Sequence, residues 1–332
     1  SGGRWKPVED LAFRGNFTRS IRAPAITELF NPNSAIFTLA DDPCDARFID
    51  GGPNPAQRAA NCAADGLPAN FTSNIVDFTT RGSLSGNTEL ENETADSWTI
   101  GAVFTPTFAP GLTLSVDYVD IALSGAIQSI DAETTLEACY DAVDFPTSVC
   151  DRIDRDGAGQ VEFIRTGYLN VASYDYQGVI ADMRWTQSTP FLGADSLISL
   201  RGSYQYIDKL ETRVGTGDLS TSRGSIGYSK HQGTLGVTYA NDNFGAFTQF
   251  QYIGKALNDA DSDGDQFMER GDVIFMDAGI SFTTEEDFTF RFIVENVFDR
   301  NAPYPTPAGG GITTYFDGLM GRYFKVAATF GF

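Results

Sequence analysis

The stretch Leu11-Ala12-Phe13-Arg14-Gly15-Asn16-Phe17-Thr18-Arg19-Ser20 decides the fold class. Its odd positions Leu11, Phe13, Gly15 and Phe17 are apolar or small. Its even positions Arg14, Asn16, Thr18 and Ser20 are polar. A period of two means an extended strand with one greasy face and one wet face. Working outward, the same alternation returns. Trp98, Ile100, Ala102 and Phe104 alternate with Thr99, Gly101 and Thr105. Leu112, Leu114, Val116 and Tyr118 alternate with Thr113, Ser115 and Asp117. Val179, Ala181, Met183 and Trp185 alternate with Asp182, Arg184 and Thr186. Further segments follow near 198–206, 234–239, 249–252, 274–283, 288–295 and 324–332, so the reading expects about ten strands. Each is close to the nine to eleven residues that a tilted membrane strand needs.

The connections fall into two classes that alternate along the chain. Short ones are rich in turn residues: Pro106–Gly111, Thr189–Ser196, Ala240–Asn243 and Thr284–Asp287. Long, polar ones cover about 23–95, 124–172, 210–226, 256–271 and 299–320. A β-sandwich also alternates, but gives no reason for this parity. An outer-membrane barrel does, with short periplasmic turns and long extracellular loops. The wet faces carry Arg14, Arg184, Arg201, Arg291, Asp117, Asp182 and Asp277 mid-strand. Such groups are costly in a packed core and cheap in a water-filled lumen. Trp98, Tyr118, Trp185, Tyr204 and Tyr206 are expected towards strand ends as interfacial girdles. The expected class is therefore all-β, an antiparallel transmembrane β-barrel.

Composition agrees. Mean hydropathy is −0.18, and no stretch approaches the roughly 18 apolar residues of a spanning helix. Barrel strands escape such a scan because lipid sees only alternate residues. A net charge of −21 argues against a nucleic-acid partner. The start, Ser1-Gly2-Gly3-Arg4-Trp5, lacks the features of a signal peptide, so the export signal is expected on a preceding segment.

Four cysteines form two close pairs, Cys44 with Cys62 and Cys139 with Cys150, in polar stretches. Two local disulfides in an oxidising compartment are expected. Metal binding would call for tighter spacing or nearby histidines, and the single histidine, His231, lies far away. Two short loop helices are expected, one capped by Asn54 with Pro55 at its first position, the other capped by Asp131 over Ala132–Tyr140.

The acidic run Asp259, Asp261, Asp263, Asp265 with Gly264 at the sixth place has the opening of a calcium loop. Its twelfth place is Arg270, with Glu269 one early, so a solvated loop tip is the weightier reading. Asp151, Asp154 and Asp156 before Gly157 form a looser version. Beyond this candidate calcium no cofactor is expected. His231 has no nucleophile or carboxylate arranged beside it in sequence, and no triad, phosphate loop or zinc spacing occurs, so no enzymatic activity is expected.

The residues now reached resemble the TonB-dependent receptor family. Leu11–Phe30 is similar to its mid-barrel strand running into Arg22-Ala23-Pro24 and Glu28-Leu29-Phe30. Glu295-Asn296-Val297-Phe298-Asp299 resembles its penultimate-strand motif, Gly321-Arg322-Tyr323-Phe324 its entry to the last strand, and Phe332 its terminal aromatic. The resemblance covers essentially the whole chain. It implies a bacterial outer-membrane location and a barrel of the 22-stranded type closed around a plug. This chain would supply the C-terminal part of that barrel, with its free edges near Leu11–Arg22 and Gly321–Phe332. The implied partners are outer-membrane lipid and lipopolysaccharide, the assembly machinery that reads Phe332, the TonB complex through an absent N-terminal region, and a nutrient ligand. The implied activity is active import of a scarce nutrient such as siderophore-iron, cobalamin or carbohydrate. A passive porin and a structural or adhesive barrel are the alternatives, and a plug upstream would decide between them.

Overall fold

The computed structural model describes residues 1–193, 195–214, 219–257, 269–286, 288–301 and 321–330. Eleven strands form one wall. They are β1 Gly2–Val8, β2 Leu11–Arg22, β3 Glu93–Phe104, β4 Leu112–Ile130, β5 Val161–Ser188, β6 Leu197–Val214, β7 His231–Ala240, β8 Phe244–Ile253, β9 Val273–Thr283, β10 Phe288–Glu295 and β11 Tyr323–Phe330. Each pairs with its neighbour in the chain, and every such pairing is antiparallel.

Register carries the alternation across the whole wall. On one face Phe17 meets Trp98, Ile100 meets Tyr118, Val116 meets Ala181, Trp185 meets Leu200, Leu235 meets Phe250, Ile280 meets Phe292 and Phe292 meets Val326. Rings on this face stack across strands, Phe288 on Phe330 at 4.4 Å and Phe17 against Trp98 at 4.6 Å. Nothing among the described residues covers the face. Ile100 is 61% exposed and Val326 78%. A contiguous bare apolar band of this extent belongs against lipid rather than water. The opposite face carries the charged and amide side chains.

The structure departs from the sequence-based expectation in three places. There are eleven wall strands rather than about ten, because Gly2–Val8 is a strand. Its two glycines, Lys6 and Pro7 hide the alternation, and Pro7 sits where the register shifts between Trp5 and Val8, at an edge that tolerates a missing donor. The free edges are accordingly β1 and β11, not Leu11–Arg22. The strands also reach further at the long-loop end than the 124–172 and 210–226 boundaries allow: β4 continues to Ile130, β5 begins at Val161 and β6 continues to Val214. Past the apolar band the lipid-imposed alternation stops, and with it the sequence cue. For the same reason Trp98, Tyr118, Tyr204 and Tyr206 lie within their strands rather than at strand ends.

Strands β1 and β11 run in the same direction, towards the short-turn end, because β1 leads into the turn between Val8 and Leu11 and ten antiparallel steps separate the two strands. They cannot pair antiparallel with one another. Closure of the wall into an all-antiparallel barrel requires an odd number of further strands between them.

Candidate functional site

The long-loop end carries a compact cap made from residues 23–92 and 131–160. In chain order it contains α1 Ile26–Phe30, α2 Pro55–Ala64 and α3 Ala132–Tyr140, with short strands at Ser34–Thr38, Thr80–Ser85 and Ile153–Arg155. Asn54 Oδ1 accepts from the Gln57 N–H at 3.2 Å and Asp131 Oδ1 from the Thr134 N–H at 2.8 Å, so both helices start where their capping residues stand. Thr80–Ser85 runs parallel to the outer part of β5, Arg81 opposite Phe163 through to Ser85 opposite Gly167. Gly167 has φ +142°, and a Cβ there would lie 2.3 Å from Ser85 O, so only glycine allows this approach.

The cap has a close-packed core of its own. Cys44, Cys62, Phe71, Ile75, Leu136, Cys139, Tyr140 and Ile164 are among its buried members. Disulfides join Cys44 to Cys62 and Cys139 to Cys150. Two buried ion pairs tie one loop to the other. Arg58 Nε and Nη2 donate to Asp141 at 2.6 Å each, the side chains being 5% and 2% exposed. Arg155 Nη1 and Nη2 donate to Asp42 at 2.9 Å each. Asn61 Nδ2 donates to the carbonyls of Tyr140 and Ala142, both at 2.8 Å. Arg155 Nε donates to the Tyr140 hydroxyl at 2.8 Å, and that hydroxyl donates to Asp65 at 2.5 Å.

The electrostatics of the cap follow from these contacts. Hydrogen bonds from the Arg47 side chain, and then backbone donors including the Ser73 N–H, hold the Asp45 carboxyl down at about 2. Burial raises the Tyr140 hydroxyl well above its ordinary value, which keeps it neutral and a donor. Burial also raises Glu137, and the neighbouring Glu133 adds to the effect. Burial opposes the charge on Arg155, but Asp42 outweighs it and the guanidinium stays firmly protonated.

The second feature is the charged face of the wall. Arg14 bonds Asp117 with both guanidinium arms, Nε to Oδ1 at 2.7 Å, across the intervening strand β3. The residue between them is Gly101, where a Cβ would stand 2.0 Å from Asp117 Oδ1. Lys325 pairs with Glu295, which also accepts from the Tyr323 hydroxyl. Arg184 and Arg201 differ. They lie directly opposite one another on β5 and β6, both exposed, and neither has a carboxylate partner among the described residues. They border a recess of about 420 Å³ with Thr113, Ser115, Asp182 and Ser203.

The residues singled out in the sequence fall as follows. The four cysteines lie together in the cap. Asp259, Asp261, Asp263, Asp265 and Phe332 lie outside the described residues. Asp154 lies in the short strand Ile153–Arg155 and is engaged by Arg165 at 3.0 and 2.5 Å, while Asp156 Oδ1 accepts from the Ala158 and Gln160 N–H groups at 2.9 Å and builds a turn. His231 opens β7 on the apolar face, its Nδ1 2.6 Å from the Tyr204 hydroxyl and its ring stacked 5.0 Å from Tyr206. Sequence reasoning missed Arg58, Asp141, Arg155 and Asp42. The partners are 83 and 113 positions apart, and no local pattern announces them.

Comparison with known proteins places this geometry. The family model described as "TonB dependent receptor-like, beta-barrel" matches residues 2–297. Among solved structures, the ferric enterobactin receptor PfeA of Pseudomonas aeruginosa superposes with a TM-score of 0.53 at 12% identity, over 90% of this chain and 34% of that one. The siderophore receptor PirA of Acinetobacter baumannii gives 0.51 at 12% identity, over 90% and 36%. These likenesses are of fold. The chain spans about a third of the length of those structures. No curated protein sequence matches it.

Proposed function

Because this chain belongs to the TonB-dependent receptor β-barrel family of the outer membrane, we propose that the protein it represents takes up a scarce nutrient actively, and that the nutrient is an iron–siderophore chelate. The observation that carries this reading is the pairing of a one-sided wall with a folded cap at its extracellular end. The wall offers lipid a continuous apolar band on one face and carries a polar face on the other. The cap is no loose loop. Two disulfides, a buried core and inter-loop ion pairs give it one defined shape. A porin needs only a wall and a constriction, whereas a receptor needs a preformed surface at which to discriminate ligands. The likeness to receptors for ferric enterobactin and other siderophores supports the iron-chelate class.

The complete receptor would bind its ligand at the extracellular end, and TonB would act through a segment outside these residues. Strain growth under iron restriction, with and without the gene and with and without TonB, tests the reading with a panel of ferric siderophores. Loss of growth on one chelate in both deletions is the expected result. Growth unaffected by either deletion, together with steady open conductance of the purified full-length protein in planar bilayers, would identify a passive channel instead.

A further inference from the structure

The apolar face changes chemistry at its long-loop rim. Tyr204 on β6 and Tyr252 on β8 both lie opposite Gly233 on β7, so two phenols stand at one level with no side chain between them. His231 stands two residues further towards the loops on the same face of β7, opposite Tyr206. Asp272 comes two residues before Ile274, the partner of Tyr252, and continues the face of that residue.

These groups converge. The Tyr204 hydroxyl is 2.6 Å from His231 Nδ1. The Tyr252 hydroxyl is hydrogen-bonded to the Asp272 carboxylate. A Cβ at Gly254 would lie 3.3 Å from His231 Cβ and 3.5 Å from the Tyr252 hydroxyl oxygen, which sets that phenol beside the histidine. Two neighbours hold the set in place. The Tyr206 ring stacks on the imidazole at 5.0 Å, and its hydroxyl donates to Asp208 at 3.2 Å. The Lys255 N–H donates to Asp272 Oδ1 at 2.7 Å and orients the carboxylate. Tyr204, His231 and Asp272 are exposed and Tyr252 is half-buried, so the set is open from outside. Among the described residues no three histidine, cysteine, aspartate or glutamate side chains are grouped to hold a metal; here phenols complete the set. A tyrosine belt at a membrane interface is ordinary, but it does not require a histidine and a carboxylate at the phenol tips.

We propose that Tyr204, Tyr252, His231 and Asp272 form a binding site for ferric ion on the outside of the wall. Phenolate and carboxylate oxygens are hard donors, and imidazole suits iron. Charge selects the trivalent ion. Two phenolates, one carboxylate and a neutral imidazole carry three negative charges, so iron(III) leaves the site neutral beside the apolar band, where net charge is costly. A divalent ion would leave one charge unbalanced. Binding releases the two phenol protons to solvent and changes no oxidation state. Four protein donors leave two positions of an octahedron for water or for the oxygens of a carrier. The site lies on the outer surface of the wall rather than in the lumen, so it goes beyond the receptor reading and stands whatever the cargo.

The test is titration of the full-length receptor in detergent with ferric nitrilotriacetate, free of siderophore, read by visible absorption. Phenolate bound to iron(III) gives a charge-transfer band that the probe alone lacks. A retained heat-modifiable gel band establishes that each variant is folded. The wild type is expected to develop the absorption at a single iron per chain. Tyr204→Phe and Tyr252→Phe should each weaken binding more than about a hundredfold, beyond the cost of losing a group that merely orients a ligand. His231→Gln should weaken binding while the absorption persists at high iron, because both phenolates remain. Tyr118→Phe, on the same face but two strands away from β6, should change nothing, and excess zinc should not displace the iron. A wild type without the absorption, an absorption that survives both tyrosine variants, or one lost equally in Tyr118→Phe would overturn the site. Displacement by zinc would overturn the ferric assignment.

Discussion

Replacing Asp141 by Asn should unlock the cap while leaving the wall intact. Asp141 and Arg58 are 2% and 5% exposed, and their two hydrogen bonds measure 2.6 Å each. Arg58 Nη1 also donates to Phe48 O at 2.9 Å. An amide at position 141 keeps the shape but withdraws the negative charge that two of the Arg58 hydrogen bonds meet. Breaking one side of a buried pair costs about 3–5 kcal/mol. In Arg58→Met with Asp141→Leu both charges go, and the cost should shrink to about 1 kcal/mol, chiefly from the Phe48 carbonyl that loses its donor. Hydrogen exchange on the full-length receptor in lipid nanodiscs reads both. At about 4 kcal/mol, cap amides in 55–64 and 132–140 should exchange about a thousandfold faster in Asp141→Asn, while those of β7–β9 stay unchanged. The exposed Arg165–Asp154 pair, 45% and 46% exposed, is the control, and its loss should change almost nothing. Cap exchange within tenfold of wild type in Asp141→Asn, or a double variant as damaged as the single one, would refute the claim that this pair holds the loops together.

Acid should loosen the cap in a defined window. The Asp45 carboxyl is held at about 2 when folded, so its contribution of roughly 2 kcal/mol is full above about pH 4 and is lost as the pH falls towards 2. Raised Glu133 and Glu137 act oppositely, gaining for the folded cap on mild acidification. Limited proteolysis of the cap between pH 5 and pH 2 checks this, and equal resistance at both ends in wild type would contradict it. Replacing Cys44 and Cys62 together by Ala should cost the cap about 3 kcal/mol in the chain-entropy view of an 18-residue separation, measured by the same exchange experiment. Gly101→Ala should lower the temperature of the heat-modifiable gel shift, because its Cβ would stand 2.0 Å from Asp117 Oδ1. Gly15→Ala, whose nearest neighbour would be Thr99 O at 4.0 Å, should leave that temperature unchanged. Residues 1–332 refolded alone should aggregate, since β1 and β11 are codirectional edges; a monodisperse, heat-modifiable monomer would show that closure needs no further strands.

The wall was legible in the sequence because lipid enforces a rule that residues obey one by one. Phe288, Phe290 and Phe292 must face outward whatever their neighbours do, so the period of two survives in a single sequence and places the strand. Gly2–Val8 escaped because an edge strand with two glycines and a proline has little side chain with which to obey the rule. The cap was legible only at its local signals, the capping residues Asn54 and Asp131 and the proximity of each cysteine pair. Its long-range bonds are pairwise decisions. Asp42 looks like any loop aspartate until the fold delivers Arg155 to it from 113 positions away. Arg184 and Arg201 were visible as mid-strand charges, but that they stand directly opposite one another, with no carboxylate partner among the described residues, emerges only once register fixes who stands opposite whom.

This chain therefore obeys two solvents, and its stability divides along that line. In the wall, burial of apolar groups is completed by lipid, and the protein's own contribution is a ladder of backbone hydrogen bonds that tolerates charged side chains on its wet face. In the cap, water surrounds the fold, so order must come from within, from a small core, two covalent links and buried ion pairs whose partners come from different loops. A reductant or acid should act on the cap and spare the wall, whereas a change of detergent should act on the wall and spare the cap. Because Arg58–Asp141, Arg155–Asp42 and the bonds from Asn61 to the Tyr140 and Ala142 carbonyls all cross between the same two loops, those loops can move only as one body. If the protein captures a ligand as proposed above, any accompanying rearrangement of the long-loop end must then either tilt the cap whole upon the projecting ends of β4 and β5 or be carried by the remaining loops.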